Sequence, residues 1–221
     1  MVELEKRTYR LTGFTPILGS SPADPYVRTN YIASKAPDPV AAAEESNYLP
    51  EREEDKMTVF TRNPKSGALM LFDYQVLGFI KGSLESLTAQ TGIKAPRGKV
   101  DRYVFVSPRF IDIKRADGSI LLEEDDVFER PLRAMTMKGE RVSLAASEEI
   151  KDPWQITFTV SLLPNERSKV SASIKWEDIE RALDYGELRG LSQFRNGGYG
   201  RFTWERVDDT QTEKKVKRHG A

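Results

Sequence analysis

The stretch of sequence that decides the fold reads WEDIERALDYGELRG (176–190), LSQFRNGGYG (191–200) and RFTW (201–204). The first part predicts an amphipathic helix, because Trp176, Ile179 and Leu183 recur at helical spacing. The second part is rich in glycine and predicts a loop. The third part predicts a closing strand through Phe202 and Trp204. A helix, a glycine-rich loop and a strand are therefore expected to follow one another without interruption.

The glycine-rich loop combines backbone freedom with positive charge. Its glycines and its neighbouring arginines are Gly190, Gly197, Gly198, Gly200, Arg189, Arg195 and Arg201. Glycine lets a backbone approach a ligand closely, and arginine presents a planar cation that suits phosphate. The loop therefore predicts a polyanion site, in which Arg195 and Arg201 contact phosphate and backbone N–H groups donate to it. The alternative is a tight connection where helix and strand pack closely.

Two aromatic residues of the same loop, Phe194 and Tyr199, are candidates for stacking on nucleic-acid bases. Both residue types also suit a hydrophobic core, and for Phe194 we expect the core position.

Composition limits the chemistry that the chain can carry. It has 221 residues, no cysteine and a single histidine, His219, in the polar segment 208–221, which we predict to be a disordered tail. Disulfides, thiolate metal sites and histidine-based catalysis are therefore not expected, and we predict no cofactor and no metal. No run of about 20 apolar residues is present to cross a bilayer. Because residues 1–7 hold no apolar signal core, we expect a cytoplasmic protein that does not bind a membrane.

Charge is balanced overall but is unevenly distributed. The 34 basic and 34 acidic residues cancel, which counts against a protein that coats nucleic acid through its net charge. Acidic residues are concentrated in 44–55 and 123–126, so the rest of the chain is net positive and can form a local basic groove. The acidic runs are typical of solvated loops, and contact with a basic partner is the alternative.

Strand and helix signals alternate along the rest of the chain. By residue range they predict a strand at 7–18, a hairpin at 59–60 and 69–72, a helix at 76–87, a strand region at 100–113 broken at Pro108, accessory strands at 132–144 and a strand at 154–162. Residues 20–57, with several prolines, predict a long insertion after the first strand. Without insertions the order is β-α-β-β-α-β, which predicts an α+β, ferredoxin-like (RRM-like) fold in one domain over 1–207.

This order and this loop resemble the RAMP superfamily of CRISPR RNA-binding proteins. That family has a helix, a stretch like Gly-Leu-Gly-x-x-x-x-x-Gly-x-Gly and a strand. Here GLSQFRNGGYGRF (190–202) is similar, with Ser192 where glycine is frequent. TPILGS (15–20) is similar to the Thr-Pro-Leu-His-Ile-Gly that follows the first strand of CRISPR effector backbone subunits. FDYQVLGFIKGSL (72–84) is similar to their Ile-Pro-Gly-Ser-Ser-Leu-Lys-Gly-Ala-Leu-Arg, without its Pro-Gly.

The resemblance implies a non-catalytic subunit of a CRISPR effector that holds single-stranded guide RNA by backbone contacts. Its partners would be other effector subunits or copies of itself, assembled head to tail, and the 20–57 insertion would act as a thumb. The RNA-binding residues expected from the loop and the resemblance are Lys81, Arg133, Arg195, Asn196, Gly197, Gly198, Tyr199, Gly200 and Arg201, with Arg28 and Lys138 as weaker candidates. For Lys81 the alternative is an ordinary solvated lysine.

Two other functions stay open from the sequence. One is a RAMP-like interaction protein, carried by a phage or other mobile element, that inhibits a CRISPR complex or acts as its decoy. The other is a metal-dependent ribonuclease. In some RNA-cleaving relatives an aspartate after the first strand supports cleavage, and Asp24 in SPADP (21–25) lies in a similar place. Asp-Pro is also an ordinary turn signal, and Asp24 has no recognisable metal partners in the sequence.

Overall fold

Mainly antiparallel sheets, with helices packed against one of them, form the α+β arrangement of the computed structural model. The structure describes residues 4–23, 57–136, 139–163 and 173–207, and for residues 131–136 and 139–144 it describes the backbone alone. The predicted insertion 20–57 therefore falls mostly outside the described residues, as does the predicted tail 208–221. None of the helices in the described ranges is long and apolar enough to span a membrane.

The strands, in chain order, are β1 (Glu5–Gly13), β2 (Ile17–Leu18), β3 (Ser21–Pro22), β4 (Met57–Val59), β5 (Thr61–Arg62), β6 (Leu69–Phe72), β7 (Val104–Ser107), β8 (Phe110–Asp112), β9 (Lys114–Arg115), β10 (Asp126–Thr136), β11 (Gly139–Ile150), β12 (Trp154–Leu162) and β13 (Phe202–Arg206). The α-helices are α1 (Asp73–Ser86), α2 (Thr88–Thr91), α3 (Pro96–Tyr103), α4 (Trp176–Asp184) and α5 (Gly186–Arg189). A short 3₁₀ turn, Arg195–Gly197, lies in the glycine-rich loop.

One five-stranded sheet, which we call the central sheet, has the strand order β13-β1-β12-β7, and each neighbouring pair is antiparallel. The short β9 also pairs with β12. Strand β12 alternates as its sequence predicts, with Trp154, Ile156 and Phe158 buried. Tyr9 of β1 lies opposite Phe158 in the register, so the two strands bury the same face. Apolar side chains at every second position thus give the sheet one face that needs a covering layer.

Helices α1 and α4 cover the apolar face of this sheet. Helix α1 buries Val76, Phe79 and Ile80, and α4 buries Ile179 and other apolar residues of its predicted stripe. All of them belong to one hydrophobic core with the buried residues of β1 and β12. The helix predicted for 76–87 begins at residue 73, and Gly92 ends the short α2 in a left-handed conformation (φ 67°).

The predicted strand region 100–113 is wrong over its first residues. Residues 96–103 form helix α3, with Pro96 in its first turn, where proline's fixed φ favours a helix start. The helix buries Pro96 and Val100 and leaves its polar residues outside, so the apolar signal at Val100 belongs to a helix face. The strand begins only at Val104, and the segment after Pro108 joins a different sheet, β5-β6-β8.

The second sheet is built on a long hairpin of β10 and β11. The hairpin runs from Asp126 opposite Glu149 to Thr136 opposite Gly139, and is thus longer at both ends than the predicted accessory strands at 132–144. Strands β2 and β4 pair with the base of β11, so the chain just after β1 is fixed to this hairpin. The hairpin predicted near residue 60 forms between β5 and β6, whereas Met57–Val59 joins the second sheet.

Candidate nucleic-acid interface

Three segments that are distant in the sequence meet at one cleft of about 300 Å³. We call it the loop cleft, and its lining is Ser20, Ser21, Tyr74, Gln75, Gly78, Phe79, Leu191, Ser192 and Arg195. These residues come from the segment after β2, the first turns of α1 and the glycine-rich loop after α5. The three stretches that carry the family resemblance, 15–20, 72–84 and 190–202, therefore each contribute to the cleft.

The glycine-rich loop is bound to the segment that follows β1. The Gly200 N–H donates to the Pro16 carbonyl (2.7 Å), and the Arg201 N–H donates to Oγ1 of Thr15 (2.8 Å). The Ser192 hydroxyl donates to the Leu18 carbonyl at 2.6 Å. The two stretches, near residues 15 and 195, thus form one structural unit.

Gly200 is needed where the loop closes on itself. The Leu191 N–H donates to the Gly200 carbonyl (2.8 Å), and a Cβ added at Gly200 would lie 2.0 Å from the Leu191 oxygen. The φ of Gly200 is +71°, which favours glycine independently of the close approach. The predicted alternative of a tight connection between helix and strand therefore describes what Gly200 does in the structure.

Backbone donors of the loop are already paired at the predicted glycines. The Gly197 N–H donates to the Phe194 carbonyl (2.9 Å), the Gly198 N–H to the Arg195 carbonyl (3.1 Å), and the Gly200 N–H to Pro16. Because these N–H groups already donate within the protein, the groups that remain to contact an anion are the neighbouring side chains.

Arg195 lines the loop cleft, and no carboxylate lies beside it in the described part of the chain. Burial lowers the pKa of its guanidinium, and the charge of Arg189 lowers that pKa further. Arginine nevertheless stays a cation in proteins. The structure thus holds two neighbouring like charges at the end of α5, an arrangement that an added anion would stabilise.

The other predicted residues lie in different surroundings. Arg201 extends beside Gly198, and its buried Nε has no hydrogen-bond partner among the described residues. Asn196 is exposed and Tyr199 is half-buried in the same loop. Lys81 is not part of the loop cleft, and it forms an ion pair with Asp101 of α3. The side chain of Arg133 lies outside the described residues, as do Arg28 and Lys138.

An aromatic cluster beside the loop was not expected from the sequence. The Tyr199 and Phe128 ring centroids are 4.9 Å apart, and the Phe194 ring is 5.5 Å from Tyr199 and 6.1 Å from Phe128. The prediction of a core position for Phe194 is wrong, because 37% of its surface is exposed. Its backbone is left-handed (φ 53°), and its ring packs under the guanidinium of Arg130 at 4.0 Å.

Arg130 joins the β10–β11 hairpin to the glycine-rich loop. With the Gln193 amide assigned the orientation that satisfies both of its ends, its oxygen accepts from Nη2 of Arg130 (2.9 Å) and its nitrogen donates to Oγ1 of Thr58 (3.1 Å). Burial lowers the Arg130 pKa, while Nε and Nη1 of the same guanidinium have no partner among the described residues. No local sequence signal marks Phe128 or Arg130, because their partners lie more than sixty residues away in the chain.

Ser192 stands where the similar sequence pattern often has glycine, and the structure offers a test of the reason. Ser192 has φ +67°, which costs a non-glycine residue roughly 1–2 kcal/mol, and its hydroxyl regains about 1 kcal/mol through Leu18. We expect Ser192→Gly to keep the wild-type free energy of unfolding, because it removes both the backbone strain and the hydrogen bond, and these two contributions roughly cancel. Ser192→Ala keeps the strain, loses the hydrogen bond, and should be about 1 kcal/mol less stable in urea unfolding. Equal stability of the two variants would contradict this account.

No group of three or more histidine, aspartate or glutamate side chains converges as a metal site within the described ranges. Asp24, the residue on which the ribonuclease alternative depends, lies outside them.

Comparisons with known proteins identify no family for the chain. No protein-family model matches it, and no curated protein matches it. Among solved structures it is similar to a chain of the cryo-EM structure of Type III-B Cmr-beta bound to cognate target RNA, at 9% sequence identity and a TM-score of 0.44. The match covers 92% of this chain and 60% of that chain, so this protein spans about three fifths of the length of the chain it matches. A likeness at this level assigns neither family nor function.

Proposed function

We propose that the protein binds single-stranded RNA at the loop cleft and the glycine-rich loop, without catalysing a reaction on it. The observation that carries the proposal is the set of unpaired arginines at this loop. Arg189, Arg195 and Arg201 have no carboxylate partner among the described residues. Most other described arginines do, as in the pairs Arg7–Glu180, Arg10–Glu205, Arg97–Glu85 and Arg115–Asp125. Cations left unpaired on one loop suit a ligand that carries phosphates.

The chemistry beside these arginines favours a single strand over a duplex. Phe128, Phe194 and Tyr199 form a partly exposed aromatic cluster next to the loop. Unpaired bases can stack on such rings, whereas the bases of a duplex are already stacked on each other. A local cationic surface also agrees with a net charge of zero, because phosphate contacts depend on nearby side chains.

We further propose a ferredoxin-like fold for the central sheet. In chain order its elements are β1, α1, β7, β12, α4 and β13, and numbering the strands 1 to 4 gives the sheet order 4-1-3-2. Helices α1 and α4 share one core with the sheet, which supports the split β-α-β arrangement. Helix α3 is an addition between α1 and β7.

The resemblance of 15–20, 72–84 and 190–202 to the RAMP superfamily extends the proposal. On that basis the RNA is the guide RNA of a CRISPR effector, and the partners are other effector subunits or copies of this chain. The convergence of all three stretches on the loop cleft supports it, because segments that line one binding site are expected to occur together in a sequence.

Replacing Arg195 tests the proposed function. We expect Arg195→Ala to weaken binding of a fluorescently labelled 20-nucleotide RNA about tenfold, because an arginine in contact with phosphate is lost. The slope of log affinity against log salt should fall by about 0.7, the contribution of one phosphate contact in a single strand. Fluorescence anisotropy over a salt series measures both quantities.

Arg97→Ala is the matched control for this measurement. Arg97 is exposed on α3 and pairs with Glu85, so its loss changes the net charge equally but should leave RNA affinity within about twofold. Equal effects of the two variants would mean that only net charge matters. A wild-type protein that binds no RNA but co-purifies with a CRISPR complex would reject the proposal in favour of the inhibitor or decoy.

A further inference from the structure

We propose that the loop cleft admits one nucleotide of the bound RNA, turned out of the strand, with its phosphate at Arg195. The inference rests on the proposed function and adds where and how a single base is held. The cleft is at the small end of ligand-binding cavities, which begin near about 300 Å³. A space of that size suits one nucleotide.

The polar lining of the cleft has both donors and acceptors to offer. The Oε1 atom of Gln75 accepts from the Phe72 N–H (2.8 Å) and its Nε2 donates to Oγ of Ser20 (2.8 Å). This leaves the Ser20 hydroxyl proton and the second Gln75 N–H outside these two bonds. The Ser192 hydroxyl donates its proton to the Leu18 carbonyl, so its oxygen lone pairs can accept a hydrogen bond. Base edges and the ribose 2′-hydroxyl require such a mixture.

One wall of the cleft is a supported aromatic ring. The Tyr74 ring is stacked on Phe72 with centroids 5.2 Å apart and an angle of 11° between the planes. Phe72 is buried in the core, so it fixes the Tyr74 plane from behind. Phe79 and Leu191 add apolar contacts to the lining. A flat wall with apolar neighbours is the environment in which an unstacked base is stabilised.

The two ends of the cleft differ in how much positive charge they carry. Arg195, next to Arg189, carries a full charge, whereas Tyr74 and Gln75 lie in the first turn of α1, which adds only the partial positive charge of the helix dipole. Asp73, the nearby acid of that turn, faces Arg109 at 3.6 Å. The phosphate therefore belongs at Arg195, and the base belongs between Tyr74 and the serines.

Filling the cleft from α1 tests the inference without breaking the fold. Gly78 lines the cleft, and a Cβ built there meets nothing within 4 Å. Leucine is a better helix former than glycine, so Gly78→Leu should fold at least as well as wild type. Gly82→Leu is the matched control, because Gly82 lies one turn further along α1, is equally open and does not line the cleft. We expect Gly78→Leu to weaken RNA binding about tenfold and Gly82→Leu to leave it unchanged.

Abasic RNA identifies the nucleotide that enters. A series of labelled 12-nucleotide RNAs, each with one abasic site, is titrated against wild type and Gly78→Leu. For wild type, we expect an abasic site at one position, or in one repeating register, to lower the affinity about tenfold. For Gly78→Leu, we expect the same abasic RNA to bind as well as intact RNA does. If Gly78→Leu binds intact RNA like wild type, or if no abasic position matters, the inference is wrong. In that case a persisting effect of Arg195→Ala still supports the proposed function, so the two failures are distinguishable.

Discussion

Gly200→Ala is expected to lower the free energy of unfolding by at least about 3 kcal/mol, an effect at the upper end for a single substitution. The added Cβ would lie 2.0 Å from the Leu191 oxygen, which is backbone and cannot rotate away. To relieve that contact, the loop must open its Leu191–Gly200 hydrogen bond or lose the bond between Gly200 and Pro16. Urea unfolding followed by tryptophan fluorescence measures the change.

Gly118→Ala separates the close approach from the backbone strain. Gly118 has φ +88°, but a Cβ there meets nothing within 4 Å. Its substitution should therefore cost only the strain of a left-handed alanine, roughly 1–2 kcal/mol. If the two alanine variants lose the same stability, the contact with Leu191 contributes nothing and Gly200 is needed only for its φ.

Trp154→Ala is expected to cost about 3–5 kcal/mol, the range of buried large-to-small aromatic substitutions. Trp154 is fully buried, and its ring fills the space above Gly13, where a Cβ would lie 2.0 Å from Trp154 Cε2. Its indole N–H also donates to the Thr15 carbonyl at 2.8 Å. Removing the ring therefore leaves a cavity and frees the segment to which the glycine-rich loop is bound. Chemical denaturation gives the stability, and RNA anisotropy should show weaker binding as well.

Trp204→Ala is the matched control for the same measurement. Trp204 is only partly buried on β13, and its indole N–H donates to an exposed Asp184 carboxylate at 2.8 Å. Its replacement should cost about 1–2 kcal/mol, since less apolar surface returns to water. Losses of similar size for Trp154 and Trp204 would contradict the larger cost expected from the full burial of the Trp154 ring.

Much of the central sheet and its helices could be predicted from local periodicity. The alternating apolar residues of β12 and the apolar stripe of α4 each indicate which side of the element faces the core, and both predictions are confirmed. Helix α3 was missed because Val100 lies beside a true strand, and a short apolar signal does not distinguish the two periods. Phe194 was placed in the core because residue type alone gives no information on a left-handed backbone.

The candidate site divides in the same way between sequence and tertiary structure. Sequence alone determined the presence of a glycine-rich, arginine-rich loop between a helix and a closing strand, since residue identity and spacing are local properties. Only the tertiary structure decided that this loop meets residues 15–20 and the start of α1, that Arg130 reaches Phe194, and that Lys81 pairs with Asp101 instead. These contacts depend on how sheets and helices pack across long separations in the chain, and no local pattern of residues encodes which distant partners meet.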